Sequence, residues 1–179
     1  KFLLEKNGLT PFFAKRIPTH GGSIRVYASK PDIRSIDKSV ENTLSDESEI
    51  IYINSLHQFK NDVLMSKLKL YSLLNSIKAE NKRIFGISSP SRASTLVNYV
   101  GLDQDIIECT VEINGSHKIG KYMPGSRIPV IDESILYSEQ PEYALLFSWH
   151  IADELIPKIK QLGFKGKFIV PLPEPHIVE

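Results

Sequence analysis

The 179 residues hold a single cysteine, Cys109, which excludes an internal disulfide framework and fits a reducing compartment. It lies in the apolar run "IIECTVEI" and reads as a strand residue. No stretch approaches the roughly 18 consecutive apolar residues of a membrane span, and no basic-then-apolar leader opens the chain. The expectation is a soluble, cytoplasmic protein with no membrane partner. An excess of one charge is also missing. The 22 basic and 21 acidic residues are well mixed and leave a net charge of +1, so no nucleic-acid footprint stands out and any bound anion should be small and locally held. His20, His57, His117, His150 and His176 are scattered, with no pair at ligand spacing, which argues against a metal centre. The Gly-x-Ser-x-Gly elbow of a hydrolase, the Gly-Lys-Ser/Thr ending of a phosphate loop and the three-glycine dinucleotide fingerprint are absent too.

What is present suffices for one domain, or one domain plus part of another: 41% of the residues are apolar and 24% charged. "KFLLEKNGL" is an amphipathic pattern closed by Asn7-Gly8 in the manner of a helix C-terminus, with no cap before it, so the chain is expected to begin inside a larger protein. "TPFFAKRIP" and "SIRVYASK" are rich in aromatic and β-branched residues and closely spaced, which predicts an antiparallel pair. Residues 31–50 are polar and mixed in charge, and read as a linker with one short helical turn. From Leu56 the apolar series Phe59, Val63, Leu64, Leu68, Tyr71, Leu74 and Ile77 keeps helical spacing, with Ser55 and Gln58 as a capping box. Beyond it, short apolar runs alternate with helical patterns. That rhythm predicts a doubly wound, mainly parallel α/β sheet with ligands at the carboxyl ends of its strands. Pro157 is tolerated if its helix begins only a few residues earlier.

Three stretches could carry chemistry. "GISSPSRASTLVNYVG" sets a serine-rich bend between a strand and a helix, where unpaired N–H groups, the helix dipole and Arg92 suit a phosphate; a plain capped turn explains it as well. "NGSHKIGKYMPGSRIPVID" places His117, Lys118, Lys121, Tyr122 and Arg127 on one loop that could close over a diphosphate or sugar, or simply face solvent. "FSWHIADELIP" ends a strand in Trp149 and His150, followed by Asp153 and Glu154. These could stack on a ring and accept from hydroxyls, or be a core indole and a helix N-cap.

Taken in order, "THGGSIRVY", "GISSPSRASTLVNYVG", "GKYMPGSRIPVID", "LFSWHIADELI" and "GKFIVPLPEP" resemble the carboxyl-terminal half of the S-adenosylmethionine-dependent C-methyltransferases that act on nucleotide-linked keto-sugars. The resemblance runs over nearly the whole chain. Such enzymes have an amino-terminal zinc-binding module, a central Rossmann-type domain for S-adenosylmethionine and a Rossmann-like carboxyl-terminal domain. It implies that residues 1–31 end the central domain as a helix end and hairpin, that 32–54 form a linker and that 55–179 form the last domain. The upstream domain of the same polypeptide would then hold S-adenosylmethionine, none being expected on this chain, and the oligomeric state, homo-oligomer or not, stays open.

The resemblance also implies roles. His20 is the suspected base, since methylating carbon requires removal of a proton beside a carbonyl and imidazole accepts protons near neutral pH. Gly21 and Gly22 would let the backbone approach substrate, and Ser23 and Arg25 would orient it. The diphosphate of a nucleotide-sugar, or of a similar phosphorylated substrate, would lie at Ser88, Ser89, Arg92, Ser94 and Thr95 under Lys118, Lys121, Tyr122 and Arg127, with Trp149, His150, Asp153 and Glu154 completing the site. A reading of a different class is a non-catalytic Rossmann-like module for ligand binding or assembly.

Overall fold

The computed structural model describes residues 1–19, 22–50 and 53–179. The chain forms two compact units, Lys1–Asn61 and Asp62–Glu179.

In the first unit, helix α1 (Phe2–Lys6) ends where the sequence indicates, with the Gly8 and Leu9 N–H groups donating back to the Glu5 and Leu4 carbonyls at 3.0 and 2.9 Å. Strands β1 (Thr10–Ile17) and β2 (Ser23–Ser29) pair antiparallel, with a register shift between Pro11 and Phe13. The 31–50 segment departs from expectation. Instead of one short turn it carries the 13-residue helix α2 (Lys38–Ile50). The other edge of β1 explains this: the Asp37 N–H donates to the Phe12 carbonyl at 2.8 Å, and the Ala14 N–H donates to Ser39 Oγ at 3.1 Å. The Asp37 carboxylate also accepts from the Ser39 N–H at 2.8 Å, which caps the helix, and the Ser39 side chain and this N–H together hold its pKa below the usual carboxylate range.

Helix α3 (Ile53–Ala79) begins before Ser55, so Ser55 stands inside its first turn and the capping-box expectation is corrected. Of the apolar series only the last two members, Leu74 and Ile77, are buried. Leu70, outside the series, is buried as well, whereas Leu56, Phe59, Leu64, Leu68 and Tyr71 are exposed.

The second unit is built on a six-stranded sheet of order β5-β4-β3-β6-β7-β8, with strands β3 (Ile84–Ile87), β4 (Cys109–Glu112), β5 (Val130–Asp132), β6 (Tyr143–Leu146) and β7 (Lys167–Val170) parallel. The last strand, β8 (His176–Val178), is antiparallel to β7. The fold is therefore α/β and Rossmann-like, with a separate antiparallel hairpin before it. Helix α4 (Ser91–Val100) follows β3, α5 (Ser134–Glu139) follows β5, and α6 (Ala152–Gln161) follows β6.

Alternate side chains of each strand enter two different cores. Ile84, Leu145, Phe147 and Ile169 pack with Leu70 and Leu74 of α3 and Val97 of α4. Phe85, Ala144, Leu146 and Phe168 pack with Leu136 of α5 and Ile159 of α6. Helices on both faces are why these strands read as continuous apolar runs. Pro157 sits in the middle of α6, so the Asp153 carbonyl has no i+4 donor; Asp153 is exposed in the first helical turn, which limits the cost.

Gly86, in the centre of β3, is required by packing, because a Cβ there would stand 2.5 Å from Cε2 of the fully buried Phe147. Gly86→Ala should destabilise the chain by about 1–3 kcal/mol through overpacking, read as a lowered urea midpoint. Burial pushes the Cys109 thiol up to about 12. Since the thiolate is the reactive form, native protein should resist alkylation at pH 8 and become fully labelled only in denaturant, as mass spectrometry would show.

Candidate functional site

Strand order reverses at β3, which has β4 on one side and β6 on the other. In such sheets ligands gather beyond the carboxyl ends at this point. Here Ser88 leaves β3 with a positive φ of 61°. Three contacts hold it there: its N–H donates to the Val111 carbonyl at 2.8 Å, its carbonyl accepts from Thr110 Oγ1 at 2.8 Å, and its hydroxyl shares a 2.6 Å hydrogen bond with Ser148 beyond β6. A non-glycine residue keeps this conformation only when its surroundings impose it. Ser88 is thus a structural bridge across the switch point.

The cleft lies beside that bridge. A cavity of about 330 Å³ opens between the start of α4, which supplies Ser89, Pro90, Ser91 and Ser94, and the 113–129 loop, which supplies His117, Lys118, Lys121 and Tyr122. Two of the stretches singled out in the sequence therefore meet, although more than twenty residues separate them. The loop is tied down. Met123 N–H donates to the Ile128 carbonyl at 2.9 Å, Val130 N–H to the Lys121 carbonyl at 2.8 Å, and Met123 and Ile128 are buried. Gly125 turns the loop with φ 80°, and Asn98 of α4 donates to the Pro124 carbonyl at 2.9 Å; a Cβ on Gly125 would stand 2.1 Å from Asn98 Oδ1.

The cleft has a basic rim and an N–H supply. Pro90 precedes α4 and has no N–H; its carbonyl accepts from Ala93 at 2.9 Å. The N–H groups of Ser91 and Arg92 are the first of the helix, where orphan donors and the positive dipole end favour an anion. Lys118 Nζ donates to the Ser89 carbonyl at 2.8 Å and to Glu112 Oε1 at 3.0 Å. That carboxylate also accepts from the Ser89 N–H at 2.7 Å. Glu112 was not among the residues that the sequence suggested. Its position at the end of the apolar run "CTVE", where a parallel strand delivers its last side chain to the ligand edge, is the signal that could have found it.

The remaining candidates stand elsewhere. Arg92 lies with its guanidinium carbon 5.8 Å from the ring centroid of half-buried Trp149, and His150 meets Trp149 edge-on at 6.5 Å. Thr95 and Arg127 are exposed and do not line the cleft. Asp153 and Glu154 are exposed in the first turn of α6; Asp153 is not its N-cap, a position held by Ile151, but both charges complement the helix dipole. In the first unit, the Gly22 N–H and the Ser23 hydroxyl both donate to the Thr19 carbonyl at 3.1 Å, and exposed Arg25 sits across from Lys15. His20 and Gly21 lie outside the described residues. Among the described residues there is no cluster of His, Cys, Asp and Glu fit to hold a metal ion, and no helix long and apolar enough to cross a membrane.

Comparison with known proteins adds two findings. A family model described as the C-methyltransferase C-terminal domain matches residues 18–173. The C-methyltransferase NovU of Streptomyces niveus is 29% identical over 180 residues, an alignment that covers 98% of this chain and 43% of that protein. The chain thus spans less than half the length of that relative.

The bridge under the cleft yields a measurable consequence. Thr110 is fully buried, and its hydroxyl is a side-chain donor to the Ser88 carbonyl. Thr110→Val should cost about 1–3 kcal/mol in chemical denaturation, because it keeps the shape and leaves that carbonyl without this donor.

Proposed function

The chain belongs to the C-methyltransferase C-terminal domain family, and on that premise we propose that it is the carboxyl-terminal part of a C-methyltransferase whose cleft holds the diphosphate of a nucleotide-linked keto-sugar. The observation that carries this reading is the convergence of Ser91, Ser94, Lys118 and Lys121 on one cavity at the start of α4. A diphosphate there would meet the first N–H groups of the helix, two serine hydroxyls and two ammonium groups. Arg92 stands in the first turn of the same helix with its guanidinium carbon 5.8 Å from the Trp149 ring centroid, and is proposed to reach the phosphates from beside the cleft.

S-Adenosylmethionine does not fit the second unit. The turn after β3 has Ser88, Ser89 and Pro90 where a cofactor site of this fold needs glycines for close approach. Glu112 occupies the end of the second strand from the switch, where a carboxylate would take ribose hydroxyls, but it is already bonded to Ser89 and Lys118. In the proposed enzyme the methyl donor is therefore held by the upstream domain, consistent with the 43% of NovU that this chain spans.

His20 is the proposed base. It would take the proton from the carbon beside the sugar's carbonyl, leaving a carbon nucleophile, and the flanking Gly21 and Gly22 would admit the substrate closely. Ser23 and Arg25 are proposed to orient the sugar. Trp149, His150, Asp153 and Glu154 are proposed to serve the nucleoside end.

Two experiments test this. Titration of the chain with nucleoside diphosphates should change the emission of Trp149, its single tryptophan, while S-adenosylmethionine should not bind; the reverse pattern overturns the proposal. His20→Ala in the full-length enzyme should abolish methyl transfer with both ligands still bound and stability changed by no more than about 0.5 kcal/mol. Unchanged turnover would remove His20 from the mechanism.

A further inference from the structure

We propose that Glu112 is a positioning residue for the cleft: it pins Lys118 against the turn after β3, so that the ammonium group meets a bound diphosphate already in place. This rests on the reading of the cleft as a diphosphate site.

The geometry is specific. The Glu112 side chain is only 10% exposed, against 37% for Lys118. One oxygen, Oε1, accepts from both the Ser89 N–H and Lys118 Nζ, while Lys118 Nζ reaches the Ser89 carbonyl as well. The turn after β3 is thereby joined at one point to the end of β4, more than twenty residues on, and to the 113–129 loop that follows it. Such a carboxylate is expensive to bury unless it is paired and hydrogen-bonded, and here it is both.

Two consequences follow for a ligand. An ammonium has three N–H donors and two are engaged, so one is left for a ligand. Lysine loses rotamer freedom when fixed, and anchoring it beforehand removes that cost from the binding step. Charge is divided too. Glu112 cancels the charge of Lys118, which then supplies direction, whereas exposed Lys121 makes no ion pair among the described residues and supplies net attraction. The neighbouring Asp132, paired with Glu112 in the β4–β5 register, does not share the task, since it accepts from the Ser134 N–H at the start of α5.

The test uses Glu112→Ala, Glu112→Gln, Lys118→Met and the double variant Glu112→Ala/Lys118→Met, each checked for folding by thermal unfolding. Calorimetry with inorganic pyrophosphate and amide exchange over residues 114–122 are the two readouts. Glu112→Ala should weaken pyrophosphate about tenfold and speed exchange in the loop. Glu112→Gln, which keeps an acceptor oxygen in place, should recover most of both. In the Lys118→Met background, Glu112→Ala should change neither further. Equal losses in both backgrounds would mean that Glu112 only supports the fold, and unaltered binding and exchange in Glu112→Ala would overturn the proposal outright. If the parent chain bound no pyrophosphate, the diphosphate reading itself would fall. The exchange data would then still decide whether Glu112 acts on the loop through Lys118.

Discussion

Burial of β3 on both faces and pairing on both of its edges is the constraint from which the second unit follows. A strand in that position must be apolar throughout, so Ile84, Phe85 and Ile87 divide between two cores and Gly86 yields its volume to Phe147. No polar chemistry can be placed along such a strand. It is displaced to the carboxyl end, where the chain leaves the sheet and backbone groups lose their ladder partners. Ser88 and Ser89 stand at that place, and each is held by hydrogen bonds from the adjoining strand β4 or its loop.

The same constraint bears on how a chain of nearly balanced charge would hold the proposed anion. Long-range attraction is weak at a net charge of +1, so affinity must come from local donors. Helix α4 opens beside the cleft, the 113–129 loop folds back on itself around Gly125, and Asn98 ties that loop to the helix. The loop is held by Met123 and Ile128 from below and by Lys118 from above. Its composition, rich in glycine and charge, gives little hint of this order, because the anchoring residues are only three and Lys118 finds its Ser89 partner on a turn distant in sequence.

Much of the architecture was legible in the residues. The switch from polar segments to apolar runs of four to five residues separated by amphipathic helices marks a sheet covered on both sides, and the aromatic and β-branched runs before it mark the hairpin. Two elements were misread for a physical reason. Helix α2 owes its start to hydrogen bonds with the free edge of β1, which local composition does not encode. The apolar series of α3 has a uniform rhythm, yet burial begins only where the helix meets the sheet, at Leu70.

By itself the sequence determined the class of fold, the family and the pieces that could bind a phosphate, because periodicity and motif order are local properties written residue by residue. Which pieces meet was decided only in the tertiary structure. Serines of the α4 stretch and lysines of the loop share a cleft because β3 and β4 are neighbours in the sheet, an adjacency set by crossover geometry. Ser88 became a bridge and Arg92 a partner of Trp149, while Glu112, unremarked at the end of an apolar run, came to bond both Ser89 and Lys118. A hydrogen bond depends on distances of about 3 Å, and such distances between residues more than twenty apart exist only once the sheet has formed.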